Sequence, residues 1–116
     1  MGDFGECAAA EYLADKGYEI LERNFRAAHG EIDIVARKNG FLIFVEVKTR
    51  SSEKFGFPSE AVDYSKRKHL KLAAEEYYRK NPNELEIRFD VIEVSAAMSG
   101  GMPQLFNINH IEGADI

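Results

Sequence analysis

The stretch Gly30-Glu31-Ile32-Asp33-Ile34-Val35-Ala36-Arg37-Lys38-Asn39-Gly40-Phe41-Leu42-Ile43-Phe44-Val45-Glu46-Val47-Lys48 decides how this chain folds. Two runs rich in β-branched and aromatic residues meet at Asn39-Gly40, the pair a type I′ turn favours because both central residues take positive φ. A two-residue turn sets Lys38 against Phe41, so that the residue numbers of opposed pairs sum to 79. Asp33 is then expected opposite Glu46, and Glu31 opposite Lys48. Side chains alternate between faces with a period of two. One face collects Ile32, Ile34, Ala36, Ile43, Val45 and Val47 and is predicted to pack into the core. The other carries Glu31, Asp33, Glu46 and Lys48 at one end and Val35, Leu42 and Phe44 at the other.

Working outward, Asp3 to Lys16 is rich in Ala and Leu and stops at Gly17, which suits a left-handed helix exit. Tyr18 to Asn24, Glu86 to Val94 and Leu105 to Ile111 show strand content. Ser51 to Pro58, Asn81 to Asn83 and Ser95 to Pro103 are expected to be loops. A second helix fills the gap before Asn81-Pro82, starting between Ser59 and Ser65, with Leu70, Ala73, Ala74 and Tyr77 at helical spacing. The order helix, three strands, helix, strand and a further terminal strand is that of an α/β (α+β) protein, a central mixed sheet flanked by helices.

At 116 residues the chain is expected to form a single domain, residues 1–116. No apolar run approaches the roughly 20 residues a bilayer needs, and the first residues lack the pattern of a secretory signal. Cys7, the single cysteine, excludes an intrachain disulfide and is expected as a buried free thiol in a reducing, cytoplasmic setting. The net charge of -5 argues against a polyanionic partner, but it is unevenly spread. Between Lys48 and Lys71 seven basic residues face three acidic ones, a segregated field that could steer a polyanion to one face; the competing reading is that Lys66-Arg67-Lys68 simply solvates an exposed helix surface.

Two carboxylates opposed across a ladder repel, so the Asp33–Glu46 pair needs compensation. Solvent exposure, protonation of one acid or a bound divalent cation would each provide it. Oxygen ligands suit Mg²⁺ or Mn²⁺. Lys48, two residues beyond Glu46 on the same face, adds a cation able to hold a phosphate oxygen, a combination suited to phosphodiester hydrolysis. The competing reading is an ion-pair cluster in which Lys48 bridges Glu31 and Glu46.

Gly5-Glu6 with Ala9 and Tyr12-Leu13, then Gly17-Tyr18, Arg23-Asn24, Gly30-Glu31-Ile32-Asp33, Phe44-Val45-Glu46-Val47-Lys48, Arg88-Phe89-Asp90-Val91 and His110-Ile111 resemble the YraN-like bacterial proteins of the restriction-endonuclease-like PD-(D/E)XK superfamily. These are similar to archaeal Holliday junction resolvases. The resemblance spans nearly the whole chain and implies an αβββαβ core. It implies Asp33 and Glu46 as metal-binding carboxylates, Lys48 as the catalytic lysine and Glu6 as a further metal ligand. Glu31 is an auxiliary residue that could orient Lys48. Ile32 stands where the superfamily name has proline, a departure that leaves the chemistry with Asp33.

The resulting expectation is a Mg²⁺- or Mn²⁺-dependent endonuclease acting on DNA in preference to RNA, on branched or damaged substrates by analogy. Arg50, Lys54, Lys66, Arg67 and Lys68 would carry the phosphate backbone, and the resolvase analogy admits a homodimer. A non-cleaving nucleic-acid-binding module and a structural or partner-binding protein are the competitors. His29, His69 and His110 share no metal-ligand spacing. Phe55 and Phe57 could stack on bases, and Arg88 with Asp90 is expected as a structural ion pair.

Overall fold

The computed structural model describes residues 2–51 and 64–114. Its elements run α1 (Gly2–Asp15), β1 (Glu19–Ala27), β2 (Gly30–Lys38), β3 (Phe41–Ser51), α2 (Tyr64–Lys80), β4 (Glu86–Ser99) and β5 (Met102–Ile111). The strands form one sheet in the order β1-β2-β3-β4-β5. All neighbours are antiparallel except β3 and β4, which are parallel. A parallel pair needs a crossover, and α2 lies in that connection.

Local chemistry accounts for the turns. Asn39 (φ 51°) and Gly40 (φ 83°) make the I′-type turn, and the pairs from Lys38↔Phe41 to Ile34↔Val45 all keep the expected sum of 79. α1 ends in a Schellman motif: Gly17 (φ 90°) donates its N–H to Ala14 O, and Tyr18 donates to Leu13 O at 3.0 Å. One expectation is corrected here. Ser95 to Pro103 is not a loop, because β4 runs on to Ser99 and Gly100-Gly101, both at positive φ, turn the chain directly into β5.

Each face of the sheet is covered by one helix. On the first, Ala9 and Leu13 of α1 pack with Ile34, Ala36, Ile43, Val45, Ile92 and Val94. On the second, Ala73, Ala74 and Tyr77 of α2 pack with Phe25, Val35, Leu42 and Phe44. Full burial of each large apolar side chain contributes about 1.5–3 kcal/mol, which is what clamps the helices to the sheet. Ile32 departs from the predicted alternation and packs on the α2 face beside Phe25, its β1 partner. The cause lies one residue on, where Asn24 takes φ 54° and the Asn24 and Asp33 positions drop out of the β1–β2 ladder. Cys7 is exposed rather than buried, with its Sγ 3.6 Å from Arg23 Nη2.

Under α1, fully buried Asp90 is saturated with donors. Arg88 grips it through Nε (2.9 Å) and Nη2 (2.8 Å), His110 Nε2 lies 2.7 Å from Oδ2, and Gly113 N–H reaches Oδ1 at 3.1 Å. His110 Nδ1 in turn meets Tyr12 OH at 3.1 Å, tying α1 to β5. Burial alone would raise the Asp90 pKa, but the bonds from His110, Arg88 and Gly113 outweigh it and hold the carboxyl below its ordinary value. A depressed folded-state pKa adds stability that is complete above the unfolded pKa, about 3.9, and is lost as pH falls through the folded value. Asp90→Asn should therefore destabilise the protein by roughly 1–3 kcal/mol at neutral pH, since the half-buried Arg88 guanidinium is left with the exposed Glu112 carboxylate, 3.4 Å away, as its ion-pair partner. In urea titrations the gap to wild type should narrow as pH is lowered below about 4. A constant gap between pH 7 and 3 would refute this account.

Candidate active site

The predicted constellation is assembled by a parting of strands. β2 pairs with β3 only as far as Ile34↔Val45, whereas β3 stays paired with β4 through Ser51↔Ala96. Asp33 and Glu46 are therefore not a ladder pair, a correction to the simple register. The Asp33 carboxylate instead accepts the Val47 N–H through Oδ2 at 2.8 Å, where a continued ladder would offer a main-chain carbonyl. Replacing a backbone acceptor by a carboxylate keeps the buried amide satisfied while letting the strands separate.

The separation opens a cleft of about 240 Å³ lined by Gly30, Glu31, Asp33, Glu46, His69 and Leu70. Both acids thus share one face and one cavity, as the hairpin reading requires. Glu46 is only 5% exposed, and Lys48 Nζ lies 3.5 Å from its Oε1. An ammonium held beside a buried carboxylate offsets its charge at the cost of desolvating both.

The other predicted residues fall in different places. Glu31 lines the cleft, but its ion pair is with Arg26 across β1 at 3.8 Å, not the pairing with Lys48 that the register implied. Glu6 is half-buried on α1, the helix of the opposite face, and is not part of the cleft lining. Among the described residues no three His, Cys, Asp or Glu side chains converge into a metal-binding group. Of the expected ligands Glu6, Asp33 and Glu46, the cleft lining holds Asp33 and Glu46, with Glu31 beside them. Arg67 and Lys68 are exposed on the first turns of α2, next to the cleft residue His69. Arg50 is half-buried near the end of β3. Lys54, Phe55 and Phe57 lie outside the described residues, and Lys66 is described only as part of the α2 backbone.

Two residues escaped sequence reasoning. His69 reaches the cleft because α2 packs hard on β2. A Cβ placed on Gly30 would sit 2.8 Å from the His69 carbonyl oxygen, so glycine permits the approach. Glu93, in the apolar run Val91-Ile92-Glu93-Val94, is 3% exposed and lies directly opposite Lys48 in the parallel ladder. A carboxylate interrupting a strand of that kind is the one signal that could have marked it.

A mixed five-stranded sheet carrying one helix on each face, in the order αβββαβ with an added edge strand, defines an α+β protein of restriction-endonuclease-like architecture. The chain belongs to the uncharacterised protein family UPF0102, whose family model matches residues 5–94. It is 45% identical over 115 residues to a UPF0102 protein of Caldicellulosiruptor saccharolyticus, covering 98% of this chain and 95% of that one. To a UPF0102 protein of Clostridioides difficile it is 54% identical over 95 residues, covering 80% and 82%. The corresponding protein of Alkaliphilus oremlandii is 44% identical over 117 residues, covering 98% and 96%.

The contact at Gly30 generates a prediction. Gly30→Ala should push α2 outward at His69, destabilising the fold by about 1–3 kcal/mol in chemical denaturation. Unchanged stability would mean that the helix does not need this approach.

Proposed function

We propose that this protein is a divalent-metal-dependent nuclease that hydrolyses phosphodiester bonds in DNA. The observation that carries the reading is the convergence of Asp33 and Glu46 in one cleft with the Lys48 ammonium 3.5 Å from Glu46. Two carboxylates suit Mg²⁺ or Mn²⁺, which commonly takes one or two from protein and completes its shell with water and phosphate oxygens. Such an ion would polarise the phosphoryl group and lower the pKa of a bound water.

The remaining work falls to the chain itself. Asp33 is held in place by the Val47 amide, so its carboxylate does not have to be ordered when substrate arrives. Lys48 supplies positive charge where the pentavalent phosphoryl group gains negative charge. The exposed cations Arg67 and Lys68, beside His69 at the cleft wall, would hold the phosphates that flank the scissile bond. Glu6 is left out of the ligand set. The substrate class includes branched DNA, by analogy with the resolvase-like relatives of the fold. No helix among the described residues is long and apolar enough to cross a membrane, and the exposed thiol of Cys7 suits the reducing cytoplasm.

Purified protein should cut DNA from a panel of linear, single-stranded, flapped and four-way substrates when Mg²⁺ or Mn²⁺ is present, and stop on chelation. Asp33→Ala and Glu46→Ala should abolish cutting, and Lys48→Ala should lower kcat by roughly 10²–10³-fold. Salt-sensitive binding without cutting would identify a binding module instead, and neither activity on DNA nor on RNA would end the nuclease reading.

A second measurement addresses the basic helix. Arg67→Ala with Lys68→Ala should weaken DNA binding across all sequences and flatten the slope of log K against log salt by about 0.9 per lost phosphate contact. An unchanged slope would remove α2 from the interface.

A further inference from the structure

We infer that Glu93 is a second counter-ion for Lys48, a positioning residue that receives the ammonium whenever Glu46 is engaged by a cation or loses its charge. Its functional context rests on the site proposed above, and its geometry comes from the β3–β4 ladder and the Lys48–Glu46 contact. In the parallel β3–β4 ladder Glu93 faces Lys48, between the pairs Glu46↔Val91 and Arg50↔Ser95. Paired residues of neighbouring strands share a face, and the strands lie about 4.7–4.9 Å apart, so Lys48 reaches either strand by rotating its own stem. Glu46 neighbours it along its own strand, and Glu93 neighbours it across the ladder.

The state of the Glu93 carboxylate makes the assignment. Oε1 accepts the Asn109 amide from β5 at 2.6 Å, which fixes the group in place. Oε2 is buried and has no hydrogen-bond partner among the described residues. A buried acceptor without a donor is destabilising by about 1–3 kcal/mol, and more when charged, so an oriented, open carboxylate oxygen needs a reason. Lys48 supplies one. Its present contact with Glu46, at 3.5 Å, is longer than the 2.7–2.9 Å or so of a strong charge-assisted hydrogen bond. If Glu46 turns to ligate a cation, the ammonium loses that partner and is repelled by the incoming charge. Transfer to Glu93 Oε2 keeps it charge-compensated on the same sheet face. Glu93 thereby couples occupation of Glu46 to the placement of Lys48, without touching the ion or the reacting phosphate. The one other orphaned polar atom of the described residues, Arg50 Nε, is diagonal to Glu93 and is the competing donor.

The test needs neither metal nor DNA. In a crystal structure of Glu46→Gln, Lys48 Nζ should lie within about 3.2 Å of Glu93 Oε2. Lys48 staying beside the substituted side chain, turning to solvent, or yielding Oε2 to Arg50 would overturn the inference. Thermal unfolding gives an independent check with Glu46→Gln, Glu93→Gln and the double variant. Because each single variant keeps one carboxylate for Lys48, the double should lose more in Tm than the two singles together. Additive losses would count against it. Should Glu93→Gln fail to fold, the Glu46→Gln structure decides alone. Absence of metal-dependent cutting would sink the nuclease reading while leaving both of these outcomes to be read.

Discussion

Everything at the candidate site depends on one hydrogen bond, from the Val47 amide to the Asp33 carboxylate at 2.8 Å. A sheet interior does not tolerate an unpaired amide, and two strands cannot part without leaving one. Asp33 resolves the conflict by offering a side-chain oxygen where β2 withdraws its main chain. The same substitution leaves room between β2 and β3 and directs a carboxylate into it. On the other side of Asp33, Asn24 at φ 54° interrupts the ladder to β1, so the acid stands at a break in both of its ladders. One residue thus satisfies the amide and presents a carboxylate, and the local disruption of the sheet is the means by which the acids come to share a cavity.

The sheet also segregates its buried charges by face. Under α1, Asp90 is surrounded by donors from Arg88, His110 and Gly113 and has no capacity left. Its chemistry is spent on joining β4, β5 and α1. On the opposite face Lys48 holds Glu46 at 3.5 Å, and Glu93 carries an open oxygen. A saturated network rigidifies, whereas one with open valence can rearrange around a ligand. The two faces thus differ in how fully their buried charges are satisfied, while both carry an apolar core that holds a helix.

Much of this was legible in the residues themselves. Asn39-Gly40 announced the hairpin because few other pairs accept two positive φ values, and the register from that turn held through Ile34 and Val45. Gly17 marked the end of α1 for the same reason. The helical spacing of Leu70, Ala73, Ala74 and Tyr77 named the buried stripe of α2 correctly. Gly100-Gly101 carried an equally good turn signal, obscured by the small and polar residues around it, and β4 proved longer than expected. Cys7 went wrong because the facing of one helix residue depends on which stripe docks.

What the sequence determined by itself is local: turn chemistry, the two-residue and 3.6-residue periods, and the acid-acid-lysine spacing along one hairpin. These follow from the backbone preferences of single residues and need no knowledge of distant partners. Only tertiary structure decided that β3 and β4 run parallel, which sets Glu93 opposite Lys48, and that α2 closes on Gly30, which brings His69 to the cleft. Glu6 illustrates the same limit, since its helix position was readable but the sheet face its helix covers was not. Such placements arise when whole elements bury their apolar faces together, a collective choice that no short stretch of residues encodes.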